Sequence, residues 1–287
     1  MTGHDMQLTF TEHAPQITDM PDREYFAMDS IDQTMLKHFM VSPRDYAYKR
    51  LNLTADDLSA FAVGKAAHTL TLGSGPTPTL KPNLRTKTGK TEYEAMQADG
   101  EDRVYLTAAD HQLVTAMCAN RPGYFDLHPG TPEQAMFATL DGVPCKGKAD
   151  WLPDQPDNDG VYRIIDYKTV RGNPADFERD AYSHGYDIQA AFYMRLYAEI
   201  TGDTTLGFTF VVQSKQPPYD WQVWQFDNDQ PEILTADRLI TRALERLAWW
   251  QGKPIKQMLD WGLDHTPQQI TYTPWQLEQR ANQIGEE

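Results

Sequence analysis

Two aspartates and a lysine within residues 146–170, KGKADWLPDQPDNDGVYRIIDYKTV, could together carry phosphodiester chemistry. Asp150 closes one strand-like run, and Asp166-Tyr167-Lys168 closes the next. Carboxylate oxygens are what a hard ion such as Mg²⁺ selects. The two-residue repeat of a strand returns Lys168 to the face that carries Asp166. Two acids and an ammonium would then converge where a divalent cation and a phosphate could sit. Acids on neighbouring strands are more commonly solvated edge residues, and Lys168 could simply pair with either of them. The apolar approach Ile164-Ile165 argues otherwise: a charge at the end of a buried strand needs a partner or a metal.

Other candidates are weaker on chemistry alone. Gln189 and Tyr193 stand four apart on one face of the next helix and could hold a phosphate or the lysine. An ordinary Tyr–Gln contact would read the same way. His68, in GKAAHTL, is by default a satisfied structural histidine. Glu133, in TPEQAMF, is by default a solvated acid. Lys81, Arg85, Lys87 and Lys90 crowd the segment GSGPTPTLKPNLRTKTGK, either a basic patch for DNA or a solvated Pro/Gly-rich loop.

The elements that must position these groups follow from periodicity. Residues 1–28 read as irregular or weakly extended. A helix begins near Asp32 with Met35, Leu36 and Phe39 inward, and Ser42-Pro43 offers a cap and a first-turn proline for a second. Thr54 is placed to cap a third, through Leu58, Phe61, Ala62, Ala66 and Leu70, with Gly64 letting another backbone come close. Helices are predicted at about 90–98 and 107–120. Residues 134–140 and 143–152 form a hairpin about Asp141-Gly142. The strand 161–170, a helix from Asp187 to about Gly202, and strands 207–215 and 221–226 follow. A helix over 231–252 carries the stripe Leu234, Leu239, Ala243, Leu247 and Trp250. The polar tail could hold a last helix from Pro274. This order implies an α/β (α+β) layered domain over 29–254, a central mixed sheet flanked by helices, with an N-terminal segment 1–28 and a tail 255–287.

Composition sets outer bounds. The chain has 287 residues, 40% hydrophobic and 11% aromatic, enough for a sizeable core. A net charge of −15 argues against a generic nucleic-acid coat, but not against a nuclease whose acids hold metal. Two cysteines, Cys118 and Cys145, are too few for a four-thiolate cluster or a disulfide framework and fit a reducing cytoplasm. No apolar run approaches the roughly 20 residues that span a bilayer, and the N-terminus lacks signal-peptide character.

Five pieces in order, DQTMLKHFMVSPRDYAYKR, FAVGKAAHTLTLG, EQAMFATLDGVPCKGKAD, IIDYKT and QAAFY, resemble the RecB-like branch of the PD-(D/E)xK nuclease superfamily, nearest the RecE-type (exodeoxyribonuclease VIII-like) nucleases. The likeness runs from about Asp32 to about Phe226. It implies a restriction-endonuclease-like core in which His68, Glu133, Asp150, Asp166 and the Tyr167 carbonyl surround metal. Lys168 would be the catalytic lysine, with Gln189 and Tyr193 in support. It further implies a Mg²⁺-dependent exonuclease, with Mn²⁺ substituting, that digests duplex DNA from a 5′ end. A single-strand annealing partner, a ring-shaped homo-oligomer and a phage or prophage setting in a bacterial cytoplasm belong to the same expectation. A non-catalytic DNA-binding or interaction module, and an endonuclease or single-strand nuclease with the same site, are the alternatives.

Overall fold

The computed structural model describes residues 6–52, 62–263, 266–267 and 269–282. In chain order, strand β1 (Gln16–Asp19) is followed by helices α1 (Asp22–Ala27), α2 (Gln33–Val41), α3 (Pro43–Leu51) and α4 (Ala62–Leu72). Strands β2 (Thr77–Leu80) and β3 (Arg103–Leu106) enclose α5 (Lys87–Ala98), and α6 (Ala108–Ala119) and α7 (Tyr124–Leu127) come next. The hairpin β4 (Gly130–Leu140) and β5 (Val143–Pro153) leads to β6 (Tyr162–Val170), α8 (Phe177–His184), α9 (Tyr186–Thr201), β7 (Leu206–Ser214) and β8 (Trp221–Asp227). Helices α10 (Pro231–Trp250), α11 (Ile255–Leu259) and α12 (Pro274–Asn282) complete the order.

Six strands form one mixed sheet in the order β1-β4-β5-β6-β7-β8. The β6–β7 pair is parallel and every other pair antiparallel. Parallel strands need a crossover, here α8 and α9, and must be covered on both faces. Alternation along β6 and β7 meets that demand. Ile164, Phe208, Phe210 and Val212 face a core shared with α9 and α10. Ile165, Tyr167 and Val211 face a second core with α4, α6 and β3. The catalytic candidates therefore emerge from strands clamped between two helical layers.

Local rules set several boundaries. Asp32 caps α2 through Met35 N–H at 2.8 Å, and Ser42 caps α3 through Asp45 N–H at 3.0 Å with Pro43 in its first turn. Asp141 and Gly142 adopt φ of 49° and 77°, the left-handed pair that a tight hairpin turn requires.

Four expectations need correction. The described part of the segment 1–28 is more ordered than irregular or weakly extended chain: β1 pairs with β4, α1 follows, and Leu8 is fully buried. The tail 255–287 is not polar throughout, because Ile255 N–H bonds to Met6 O at 2.9 Å and α11 buries Ile255 and Met258. The loop between α4 and α5 contains β2, paired in parallel with β3, and α5 begins at Lys87 under a Thr86 cap rather than near 90. Along α10, Leu234 and Leu239 face solvent; the buried row is Ile233, Ala236, Ile240, Ala243, Leu244, Leu247 and Trp250, which keeps the helical period. The expected Thr54 cap, with Leu58 and Phe61, lies outside the described residues. No helix among the described residues is long and apolar enough to cross a membrane.

Candidate active site

The site opens where β5 and β6 part. Their ladder holds at Trp151 and Ile165. Beyond it, Asp150 Oδ2 accepts the Tyr167 N–H at 2.8 Å, so a side chain replaces the partner strand's backbone. On β6, Asp166 and Lys168 share a face, with Lys168 Nζ 2.7 Å from Asp166 Oδ2 in a contact that is ionic without hydrogen-bond geometry. Asp166 Oδ1 accepts from Gln189 Nε2 at 2.5 Å, which ties the first turn of α9 to the strand. The Lys168 ammonium rests 4.9 Å from the centre of the Tyr186 ring and 5.9 Å from that of Phe210, two π faces that limit where it can swing.

Glu133 interrupts β4. Its φ is 55°, and the β4–β5 register passes from Pro132–Trp151 to Gln134–Ala149 without it. A left-handed conformation costs a non-glycine residue roughly 1–3 kcal/mol and persists where the surroundings enforce it, often at functional sites. Helix α4 brings in His68, whose Nδ1 lies 3.3 Å from Asp150 Oδ2. His68, Glu133 and Asp150 each offer one ligand atom, all within 4.8 Å of one another. These residues line a cavity of about 510 Å³ with Lys148, Lys65 and Lys168. One nitrogen and two carboxylate oxygens in that space suit a divalent cation. Asp166, expected as a further ligand, is buried midway along β6 outside both that cluster and the cavity lining, and meets the cavity through Lys168.

The electrostatics agree with the donor set. Burial, then the neighbouring Asp166, drives the Asp150 carboxyl well above its ordinary range. Burial and then Asp150 raise Glu133 as well. Burial lowers the His68 imidazole, despite the pull of Asp166 and Glu133, so its neutral, ligating form is favoured. For Lys168, burial opposes the charge, but Asp166 and Asp150 outweigh it and hold the ammonium protonated. These acids crowd one another in a way a dication would relieve.

Placement of the remaining candidates varies. Tyr193 lines the cavity, and its hydroxyl engages the Lys148 backbone. It can approach because position 147 is glycine: a Cβ there would lie 3.0 Å from Leu196 and 3.1 Å from Tyr193. That is the close approach expected at Gly64, where an added Cβ would meet only Thr169 Oγ1 at 3.7 Å. The Tyr167 ring turns away into the second core; its backbone N–H donates to Asp150. Lys81, Arg85, Lys87 and Lys90 are all exposed but do not line the cavity. Two larger cavities, of about 760 and 830 Å³, lie elsewhere. In the second, Asp157 and Asp159 are already bound to Arg163 at 2.9 and 2.8 Å.

Sequence reasoning missed Lys148, Asp22 and Lys65. Lys148 Nζ lies 2.7 Å from Asp22 Oδ1 and 3.2 Å from Glu133 Oε2. Strand alternation could have found it, since Lys148 stands two residues from Asp150. Asp22, on a six-residue helix, carried no such signal.

Residues 33–253, well over half of the chain, match the family described as PDDEXK-like domain of unknown function (DUF3799). The chain belongs to that family. The mixed, helix-flanked sheet is its PDDEXK-like core. A crystal structure from Eubacterium rectale, named "Putative exonuclease", superposes with a TM-score of 0.56 at 17% identity, over 91% of this chain and 98% of that one. At that identity the likeness concerns the fold. A second structure, SSO0001, has a TM-score of 0.30 at 15% identity over 74% of this chain and 98% of that one, and carries no argument. No curated protein matches the sequence.

Proposed function

We propose that this PDDEXK-like protein is a Mg²⁺-dependent deoxyribonuclease of RecE type that digests linear duplex DNA from its ends. The observation that carries the reading is the convergence of His68, Glu133 and Asp150 in one cavity with Lys168, whose ammonium contacts the buried Asp166 behind it. A divalent cation held by the acids and His68 would acidify a water and polarise the scissile phosphate. This chain's residues supply the rest. Asp150 is fixed by the Tyr167 N–H and Asp166 by Gln189, so neither carboxylate must reorganise as charge develops. The Lys168 ammonium lines the same cavity and would stabilise charge on the phosphate oxygens or orient the attacking water. Tyr193 and the close packing at Gly147 hold α9, and with it Gln189, against the strands.

Lys81, Arg85, Lys87 and Lys90 form an exposed basic segment that could track duplex backbone outside the cavity. The 5′-to-3′ polarity, Mn²⁺ substitution, hand-over of the exposed strand to an annealing protein, a ring-shaped homo-oligomer and a cytoplasmic phage-recombination setting extend the same reading. Linear duplexes labelled at the 5′ or 3′ end, and a covalently closed circle, test it together. Early release of the 5′ label from linear DNA, with the circle intact, is the predicted pattern. Cutting of the circle would make the protein an endonuclease. Retention of DNA ends in Mg²⁺ and Mn²⁺ without any product would make it a binding module.

A further inference from the structure

Helix α1 precedes the family-matched range, yet its Asp22 reaches the cavity wall. Asp22 Oδ1 is 2.7 Å from Lys148 Nζ, and Oδ2 is 2.7 Å from Lys65 Nζ. Lys148 is shared: its ammonium also lies 3.2 Å from Glu133 Oε2. The Asp22, Lys148 and Glu133 side chains are only 14%, 12% and 15% exposed, so water screens this chain of charges poorly. Burial opposes the Asp22 charge, but Lys148 and Lys65 overcome it and keep the carboxylate ionised.

Two carboxylates therefore compete for one ammonium, and one of them belongs to the candidate metal set. An ammonium closed fully onto Glu133 would occupy a ligand oxygen and place a positive charge where a cation must enter. Resting on the nuclease reading of the cavity, we propose that Asp22 is a positioning residue: it holds Lys148 back from Glu133 and so leaves the His68–Glu133–Asp150 cluster open to a divalent cation. The shorter contact to Asp22 is the arrangement this role requires. The N-terminal β1–α1 unit then belongs functionally to the catalytic centre.

The test is Mn²⁺ binding to the metal-free full chain, followed by the resonance of free Mn²⁺, with thermal melting of each variant alongside. Asp22→Asn is expected to weaken binding about tenfold or more, the scale seen when partners of metal ligands are removed. Asp22→Glu should stay near the wild type. The double variant Asp22→Asn/Lys148→Met should recover the lost affinity, which a purely structural role of α1 could not produce. Lys148→Met alone should bind at least as tightly as the wild type, and this decides the matter if Asp22→Asn does not fold. Unchanged affinity in Asp22→Asn, no recovery in the double variant, or weaker binding by Lys148→Met would overturn the proposal. A wild type that binds Mn²⁺ but cleaves no DNA would end the nuclease reading and leave the role of Asp22 standing. A wild type that binds no Mn²⁺ would end both.

Discussion

Removing and restoring a divalent cation should shift the stability of the whole fold, because the cluster is costly without one. Asp150 and Glu133 are both raised by burial and by neighbouring acids. The sign follows from linkage. A carboxyl whose folded value lies above its unfolded value contributes stability below about pH 4, and that contribution fades as pH climbs through the raised folded value. Near neutrality the metal-free site is therefore a net liability. A cation that binds only the folded state adds RT ln(1 + [L]/Kd), about 2.7 kcal/mol at a hundredfold excess over Kd. With an unfolding entropy of about 2.1 cal/mol/K per residue, a chain of 287 residues has about 0.6 kcal/mol/K, so the expected gain in Tm is about 4–5 °C. Calorimetric melts in EDTA and in Mn²⁺, at pH 5 and pH 8, measure it. The shift should be larger at pH 8, where protons compete less with the cation for the carboxylates. Asp150→Asn should melt higher than the wild type in EDTA, since it removes the repelled charge and keeps an oxygen for the Tyr167 N–H, and should lose most of the Mn²⁺ response. An equal Mn²⁺ shift in Asp150→Asn, or no shift in the wild type at either pH, would refute the reasoning.

Lys168→Ala should lower the cleavage rate by about 10²–10³, the range for removing one charge-stabilising donor, with the fold retained by circular dichroism. Gln189→Leu removes the 2.5 Å bond to the buried Asp166 and should cost about 1–3 kcal/mol in denaturant melts, with cleavage reduced in parallel. Gly147→Val should be more damaging than Gly64→Ala, because a Cβ at Gly147 already meets Leu196 and Tyr193 while Gly64 has ordinary contact only; comparing Tm values of the two variants checks this. Replacing Lys81, Arg85, Lys87 and Lys90 with Ala should flatten the dependence of log K on log salt for duplex binding by about 0.9 for each phosphate no longer neutralised, leaving the metal response unchanged.

The parts of this fold legible in the sequence are those where one strong local signal acts. Asp141-Gly142 demands a tight turn, the apolar run into Asp166 demands a buried strand, and the helix through Gln189 and Tyr193 has a clear period. The parts that were not legible depend on tertiary context. β1 is a four-residue, half-exposed edge strand that exists because β4 offers a ladder, and α1 is too short to be stable alone. Along α10 the large apolar Leu234 and Leu239 face solvent, and the smaller Ala236 and the β-branched Ile233 and Ile240 fill the contact. At the site, the positions of Asp150, Asp166 and Lys168 follow from strand alternation. The left-handed turn of Glu133 and the reach of Asp22 across more than a hundred residues to Lys148 do not, since nothing local requires either.

Release of acid-soluble nucleotides from linear duplex DNA, by the wild type and by Asp150→Asn in EDTA and in Mg²⁺, tests the central claim most directly. The account predicts digestion by the wild type in Mg²⁺ alone and none by the variant under either condition. Full activity of the wild type in EDTA, or undiminished Mg²⁺-dependent digestion by Asp150→Asn, would contradict it.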